Sequence, residues 1–205
     1  PPGAPGKWPK QALWAEELFG LEGVALFLDL DSVIVDSLDP YFAYGDPGDV
    51  ITARNWVKPW LRMSQTSVFR FRIGAHSYML ENLRKDPQLM VQYRYEQNYV
   101  SSCLRGGVKF WPSAWTKHFG IHCMGPWPLR YLRPPRKPTG VRVVTFPGKP
   151  KPPLAAQGKF RASDPERTRW EHLRACFFEK AEKRPKAALN HFFLPCDWVG
   201  EHWRP

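Results

Sequence analysis

Hydrophobic residues occur along this chain in short runs separated by stretches with helical spacing. The most apolar run covers residues 24–30 and leads into two carboxylates, Asp29 and Asp31. Gly23 precedes the run, and a second apolar stretch, Val33–Val35, follows it. A continuous apolar run of this length predicts a strand that is buried on both faces, as in a parallel sheet.

The remaining pattern alternates strands and helices. Further strands are predicted at residues 49–54, 66–72, 108–111 and 142–146, and helices at 11–20, 76–86, 89–104 and 163–183. Ser163 is the predicted N-cap of the last helix, with Glu166 completing a capping box. The alternation predicts an α/β fold with a mostly parallel sheet flanked by helices, in a single domain of residues 1–205.

Charge and composition limit the classes of protein and partner. The net charge of +11 suits an anionic partner, and a basic module that binds an anionic polymer through Arg130–Lys137 is one candidate. The basic residues form no run of the kind found in nucleic-acid tails, so nucleic acid is not an expected partner. The same basic, proline-rich stretch could contact a membrane surface.

The sequence also leads to expectations about the cellular compartment and about a segment upstream of Pro1. Four cysteines without a C-x-x-C spacing favour free thiols in a reducing compartment, and the expected location is cytoplasmic. The sequence opens PPGAPGKWPK without Met, which predicts that an upstream segment is missing.

Asp29 and Asp31 allow three interpretations. Residues i and i+2 of a strand share a face, so the two carboxylates are expected side by side at the carboxyl end of the strand. One interpretation is that both are structural caps of the following turn, because Asp commonly follows strands. Alternatively, a hard cation such as Mg²⁺ or Mn²⁺ would relieve their mutual repulsion and bring phosphate oxygens with it.

A phosphatase is the third interpretation. The segment FLDLDSVIVDS resembles the opening motif of the haloacid dehalogenase family, in which Asp29 would be the nucleophile and Asp31 the acid/base. The chain departs from that motif at Ser32, where the family has Gly. It also lacks the later acidic pair that holds Mg²⁺ in that family.

Four further features occur in a definite order around the acidic segment. Lys10 precedes the acidic strand, and Gln65-Thr66-Ser67-Val68-Phe69 leads a later strand. Glu96 and Gln97 form an acid–glutamine pair, and VVTFPGKPKP ends a late strand with Gly148, Lys149 and Lys151. The segments Lys109–Pro112, Pro126–Arg130 and Trp198–Arg204 complete the pattern.

In this order the motifs resemble glycosyltransferases of the GT-A type, namely the glycogenin and bacterial galactosyltransferase-like families. The resemblance extends from about Lys7 to the end of the chain. It departs from the family at the third metal ligand, a His whose place is taken by Thr145 or Pro147. Water could complete the coordination sphere, metal binding could be weakened, or His202 could substitute.

The resemblance implies a metal-dependent transfer of sugar from a nucleotide diphosphate donor, with UDP as the expected nucleotide, to a hydroxyl acceptor such as a saccharide. Asp29 and Asp31 would bind Mn²⁺ or Mg²⁺. Glu96 and Gln97 would orient the donor sugar, and Gln65 and Ser67 would contact the sugar or acceptor. Lys10, Gly148, Lys149 and Lys151 would hold the diphosphate. The family's N-terminal nucleotide-binding half would lie upstream of the given sequence.

A second metal site is a weaker candidate. His118 and His122 have the i, i+4 spacing of zinc ligands on a helix, and Cys123 follows them. Gly120 interrupts a helix at this point, and the sequence offers no obvious third ligand.

Overall fold

The computed structural model describes residues 6, 8–178 and 188–204. Within it, the chain divides into two compact units, one comprising Pro1–Asp29 and Leu38–Ser113 and the other Leu30–Ser37 and Ala114–Pro205. The prediction of one catalytic domain over residues 1–205 stays a prediction. Within the described part of the chain, no helix has both the length and the hydropathy needed to cross a bilayer.

The first unit is built on a four-stranded sheet. Its strands are β1 (Val24–Leu28), β3 (Ile51–Arg54), β4 (Ser64–Arg72) and β5 (Lys109–Phe110), in the order β1-β4-β3-β5. β4 runs antiparallel to both of its neighbours, and β5 runs parallel to β3.

The first unit also contains a 3₁₀ helix and several α-helices. They are a 3₁₀ helix (Trp8–Trp14), α1 (Asp39–Ala43), α2 (Tyr78–Lys85), α3 (Leu89–Gln92) and α4 (Glu96–Cys103). Trp14 is buried against Phe69 and Phe71 of β4, with ring centroids 5.5 and 5.3 Å away. Burial of these aromatic side chains fixes the 3₁₀ helix, and with it Lys10, beside the sheet.

The second unit has a three-stranded sheet of its own. Its strands are β2 (Ser32–Ile34), β6 (Thr116–His118) and β7 (Val143–Thr145), in the order β2-β7-β6. β2 is antiparallel and β6 parallel to β7. The helical elements of this unit are a π-helix (Phe119–Cys123), α5 (Trp127–Arg130), α6 (Pro152–Ala156), α7 (Arg169–Phe178) and α8 (Asp197–His202).

The α/β class is confirmed, but the prediction of a mostly parallel sheet is wrong. Both sheets are mixed, and the apolar strand β1 pairs antiparallel with β4. Every residue of β1 is only partly buried, and β1 ends the strand order of its sheet. The apolar run therefore does not reflect burial between two layers of helices.

Several predicted boundaries also differ. The stretch 89–104 is two helices, α3 and α4, which are separated at Tyr93–Tyr95. The predicted helix 163–183 begins at Arg169, and its last predicted residues, 179–183, lie outside the described part. Its capping box is Thr168 with Glu171, because the Thr168 backbone N–H donates to Glu171 Oε2 at 2.7 Å. The predicted partner Glu166 instead accepts from Lys159.

Candidate functional site

A cavity of about 450 Å³ lies in the first unit. Six residues predicted from the sequence line it, namely Lys10, Asp29, Gln65, Ser67, Glu96 and Gln97. Thr66, Trp8, Arg94 and Tyr95 complete most of its wall. The first unit thus brings together side chains that are widely separated along the chain.

Three elements supply the polar side chains. Asp29 follows β1, and its backbone N–H donates to the Ser67 carbonyl at 2.8 Å, which continues the β1–β4 ladder by one bond. Gln65 and Ser67 lie two residues apart on β4, and the Gln65 amide donates to Ser67 Oγ at 3.2 Å. Glu96 begins α4, where an acidic residue is favoured by the N-terminal end of the helix dipole.

Lys10 is the electrostatic centre of the cavity. Its Nζ lies 2.7 Å from Asp29 Oδ1 and 3.7 Å from Glu96 Oε1. It also donates to the Thr66 carbonyl at 3.0 Å. The Lys10 side chain is 12% exposed and that of Glu96 only 4%, so the ammonium compensates a buried carboxylate. A buried charge without such a partner would be strongly destabilising.

The sequence did not predict Thr66 as a member of the site. Its hydroxyl donates to Glu96 Oε1 at 2.5 Å, and its backbone carbonyl accepts the bond from Lys10. Thr66 therefore fixes both the carboxylate and the ammonium. Its position between Gln65 and Ser67 was the only sequence signal, and strict alternation along a strand would turn the Thr66 side chain away from the face that Gln65 and Ser67 share.

Gln97 also contributes to the packing of α4 on β4. Its backbone carbonyl accepts hydrogen bonds from the hydroxyls of Ser64 and Ser101 at 3.0 and 2.7 Å. The bond from Ser64 ties the first turn of α4 to the start of β4, whereas the bond from Ser101 lies within α4. The side chain of Gln97 is left to line the cavity.

The other predicted residues belong to the second unit. Lys151 Nζ lies 2.5 Å from Asp31 Oδ2 and donates to the Phe146 carbonyl at 3.4 Å. Gly148, in the loop between Phe146 and Lys151, has a φ of +85°, a conformation that favours glycine. Lys149 is exposed in the same loop.

Asp29 and Asp31 do not lie on one strand. β1 ends at Leu28, and β2 begins at Ser32 in the other sheet. The Asp31 carbonyl accepts from the Phe146 backbone N–H at 2.9 Å, so the chain changes sheets at Leu30, which is 94% exposed. The rule that residues i and i+2 share a face therefore does not apply, and placement of the two carboxylates side by side stays a prediction.

The carboxylates suit a hard cation only in part. Asp29 and Asp31 are oxygen donors whose side chains are 25% and 23% exposed. Each uses one oxygen for a lysine, which leaves the second oxygen as a ligand of the type that Mg²⁺ and Mn²⁺ prefer. Among the described residues, no group of three His, Cys, Asp or Glu could hold a metal ion. A cation would thus take most of its ligands from water or from phosphate.

The positions considered for a third ligand have other partners. Thr145 is fully buried, and its hydroxyl donates to the Lys117 carbonyl at 3.3 Å. His202 is exposed, with Nδ1 2.8 Å from the Trp198 carbonyl oxygen in α8. Neither arrangement favours a metal ligand.

His118 and His122 are joined through the backbone. His122 Nδ1 lies 3.0 Å from the His118 backbone nitrogen, at the point where β6 enters the π-helix. Burial, and then the neighbouring His122, lower the pKa of His118 to about 4. The predicted zinc cluster with Cys123 has no third ligand group within the described chain.

Comparison with known proteins gives no family assignment. No protein family model matches the chain, and no curated protein matches it either. Among solved structures, it is similar to the galactosyltransferase LgtC in complex with donor and acceptor sugar analogues. The TM-score is 0.47 and the identity 17%, over 71% of this chain and 59% of that one.

A second similar structure is an active-site mutant of LgtC in which a glutamine is replaced by glutamate. Here the TM-score is 0.48 and the identity 14%, over 73% of this chain and 64% of that one. The chain thus spans roughly three fifths of the length of these structures. A likeness of this degree does not define a family, so the function proposed below rests on the residues of the cavity.

Proposed function

We propose that the chain is a glycosyltransferase that binds a nucleotide-diphosphate sugar in the cavity of the first unit and transfers the sugar to a hydroxyl acceptor. The observation that supports this function is that six residues, selected through the resemblance of their motifs to those of GT-A glycosyltransferases, line one cavity.

The cavity contains the chemical groups that such a donor needs. Lys10 offers a cation to the diphosphate, which gains negative charge as the bond between the sugar carbon and the phosphate oxygen breaks. Gln65, Ser67 and Gln97 carry amides and a hydroxyl, which form hydrogen bonds with sugar hydroxyls. Glu96, held by Thr66, would orient the sugar. The acceptor oxygen forms the new bond and releases its proton to solvent.

Gly148, Lys149 and Lys151 are further proposed ligands of the diphosphate. Asp29 and Asp31 are the proposed ligands of Mn²⁺ or Mg²⁺. When bound, the metal would supply charge neutralisation at the leaving diphosphate. UDP is the proposed nucleotide and a saccharide the proposed acceptor.

Ligand-dependent stabilisation is the first test. Unfolding temperatures of the full chain are measured with UDP, with Mn²⁺, with both, and with both plus EDTA. A ligand that binds only the folded state at about 100 times its Kd stabilises by ~2.7 kcal/mol, which raises the Tm by several degrees. We expect the largest shift with UDP and Mn²⁺ together.

Variants test whether the ligand-dependent rise in Tm comes from binding in the cavity. Lys10→Met and Asp29→Asn should reduce the shift, because these side chains are the proposed partners of the diphosphate and the metal, whereas Glu81→Gln, which changes an exposed carboxylate of α2, should leave it unchanged. UDP-sugar hydrolysis and transfer are then followed with the same proteins. A shift that survives both cavity changes would contradict the proposed site, and release of phosphate from simple phosphate esters would favour the phosphatase interpretation.

A further inference from the structure

The loop between β3 and β4, residues 55–63, presents apolar side chains to solvent. Trp60 is 73% exposed, Val57 68% and Leu61 39%. Exposing three apolar side chains within five consecutive positions of one loop costs free energy in water, which indicates contact with another phase or molecule.

The exposure follows from an ordered turn. Asn55 Oδ1 accepts hydrogen bonds from the backbone N–H groups of Val57 and Lys58 at 3.0 and 2.9 Å. The Leu61 N–H then donates to the Lys58 carbonyl at 3.0 Å. Because these bonds fix the backbone, the apolar side chains are held outwards at the tip of the hairpin.

Three cations lie close to the apolar side chains in sequence. Arg54, Lys58 and Arg62 are all exposed in or beside the loop. From Val50 to Leu80 the sequence contains no Asp or Glu. The β3–β4 loop is therefore both apolar and positively charged, without an acidic residue of its own.

We propose that the β3–β4 loop docks this protein on an anionic phospholipid surface. Trp60 would lie at the level of the headgroups, where tryptophan is favoured, and Val57 and Leu61 would enter the acyl boundary. Lys58 and Arg62 would meet the lipid phosphates, because their long side chains let the charge stay in the polar layer while the stem lies in apolar surroundings.

The combination of groups selects lipid over other anionic partners. Stacking on a nucleic acid would use Trp60 but would leave the aliphatic side chains of Val57 and Leu61 in water. The proposal does not depend on the proposed function, because lipid binding is measured without any sugar donor. It also concerns different residues from Arg130–Lys137, which belong to the other unit.

Vesicle co-sedimentation of the full chain tests the proposal. The probes are vesicles of phosphatidylcholine alone and of an equimolar mixture of phosphatidylcholine and phosphatidylglycerol. We expect binding to the mixed vesicles that weakens with added salt. Lys58→Glu should weaken it by about fivefold or more, since each cation near the surface contributes about fivefold. Trp60→Ser should weaken it about tenfold.

Val91→Ser is the matched control, because Val91 is an apolar side chain that is 79% exposed on α3 of the same unit. It should not change vesicle binding, and the Tm of each variant shows whether it folds. Three results would overturn the proposal: no binding of the unaltered chain to the mixed vesicles, full binding by Trp60→Ser and Lys58→Glu, or loss of self-association in Trp60→Ser without an effect on vesicles.

Discussion

Replacement of Lys10 by Met tests the charge balance of the cavity. Met keeps most of the side-chain length and apolar contact, including the approach to the Phe27 ring, but removes the ammonium. Asp29 and Glu96 then lose the cation that lies 2.7 and 3.7 Å from their oxygens. The Thr66 carbonyl loses a donor as well.

The expected cost comes mainly from Glu96. The Glu96 side chain is 4% exposed, so water cannot solvate its carboxylate. The Asp29 side chain is 25% exposed and is partly solvated. Removing one partner of a buried ion pair costs about 3–5 kcal/mol. Because one of the two carboxylates can be rehydrated, we expect the lower end, ~3 kcal/mol, which corresponds to a fall in Tm of about 6–12 °C for a chain of this size.

Urea unfolding of four proteins measures the effect: the unaltered chain, Lys10→Met, Glu96→Gln and the double variant. In the Glu96→Gln background the buried charge is gone, so Lys10→Met should cost at least ~1 kcal/mol less. Lys85→Met, at an exposed position of α2, is the control and should stay within about 0.5 kcal/mol. Equal losses in the two backgrounds would refute the assignment of Lys10 as the counter-ion of Glu96.

Three further predictions concern buried groups. Arg70→Met should lower the free energy of unfolding by about 3 kcal/mol in urea titrations, because the guanidinium of the buried Arg70 donates to the Phe42 carbonyl at the end of α1 and to the Tyr44 carbonyl just after it. Burial lowers the pKa of His118 from 6.5 to about 4, so its contribution to stability is complete above pH 6.5 and is lost as the pH falls towards 4. His118→Gln should therefore flatten the pH dependence of urea unfolding in that window, and an unchanged slope would contradict the assignment. Burial raises the pKa of the Cys123 and Cys196 thiols to about 12, so brief iodoacetamide treatment followed by mass spectrometry should modify the half-buried Cys103 before either of them.

Local patterns predicted most strands of the first unit. The alternation of residues 66–72 and the apolar run from Val24 correspond to β4 and β1. Both signals come from which side chains of a short segment are buried, and the order of apolar and polar residues within that segment shows this directly. The pairing of β1 with β4 joins residues far apart in sequence, and no local pattern carries its direction. The parallel arrangement was therefore predicted wrongly.

Short elements were missed for a related reason. β2 and β6 have three residues each, and each gains its place through pairing with β7. Three residues give too little periodicity to distinguish a strand from a loop. Similarly, Thr66 becomes a site residue through its bonds to Glu96 and Lys10, which lie 30 and 56 positions away in the chain.

The cation partners of Asp29 and Asp31 could not be chosen correctly from the acidic segment alone. Two carboxylates in adjacent positions call for a cation, and the sequence interpretation chose a divalent metal. Each carboxylate already has a lysine within its own unit, Lys10 for Asp29 and Lys151 for Asp31. The motifs assigned Lys151 and Asp31 to one site, but they did not predict an ion pair between these residues, which lie 120 positions apart. A metal bound to either carboxylate would therefore have to share it with an ammonium group.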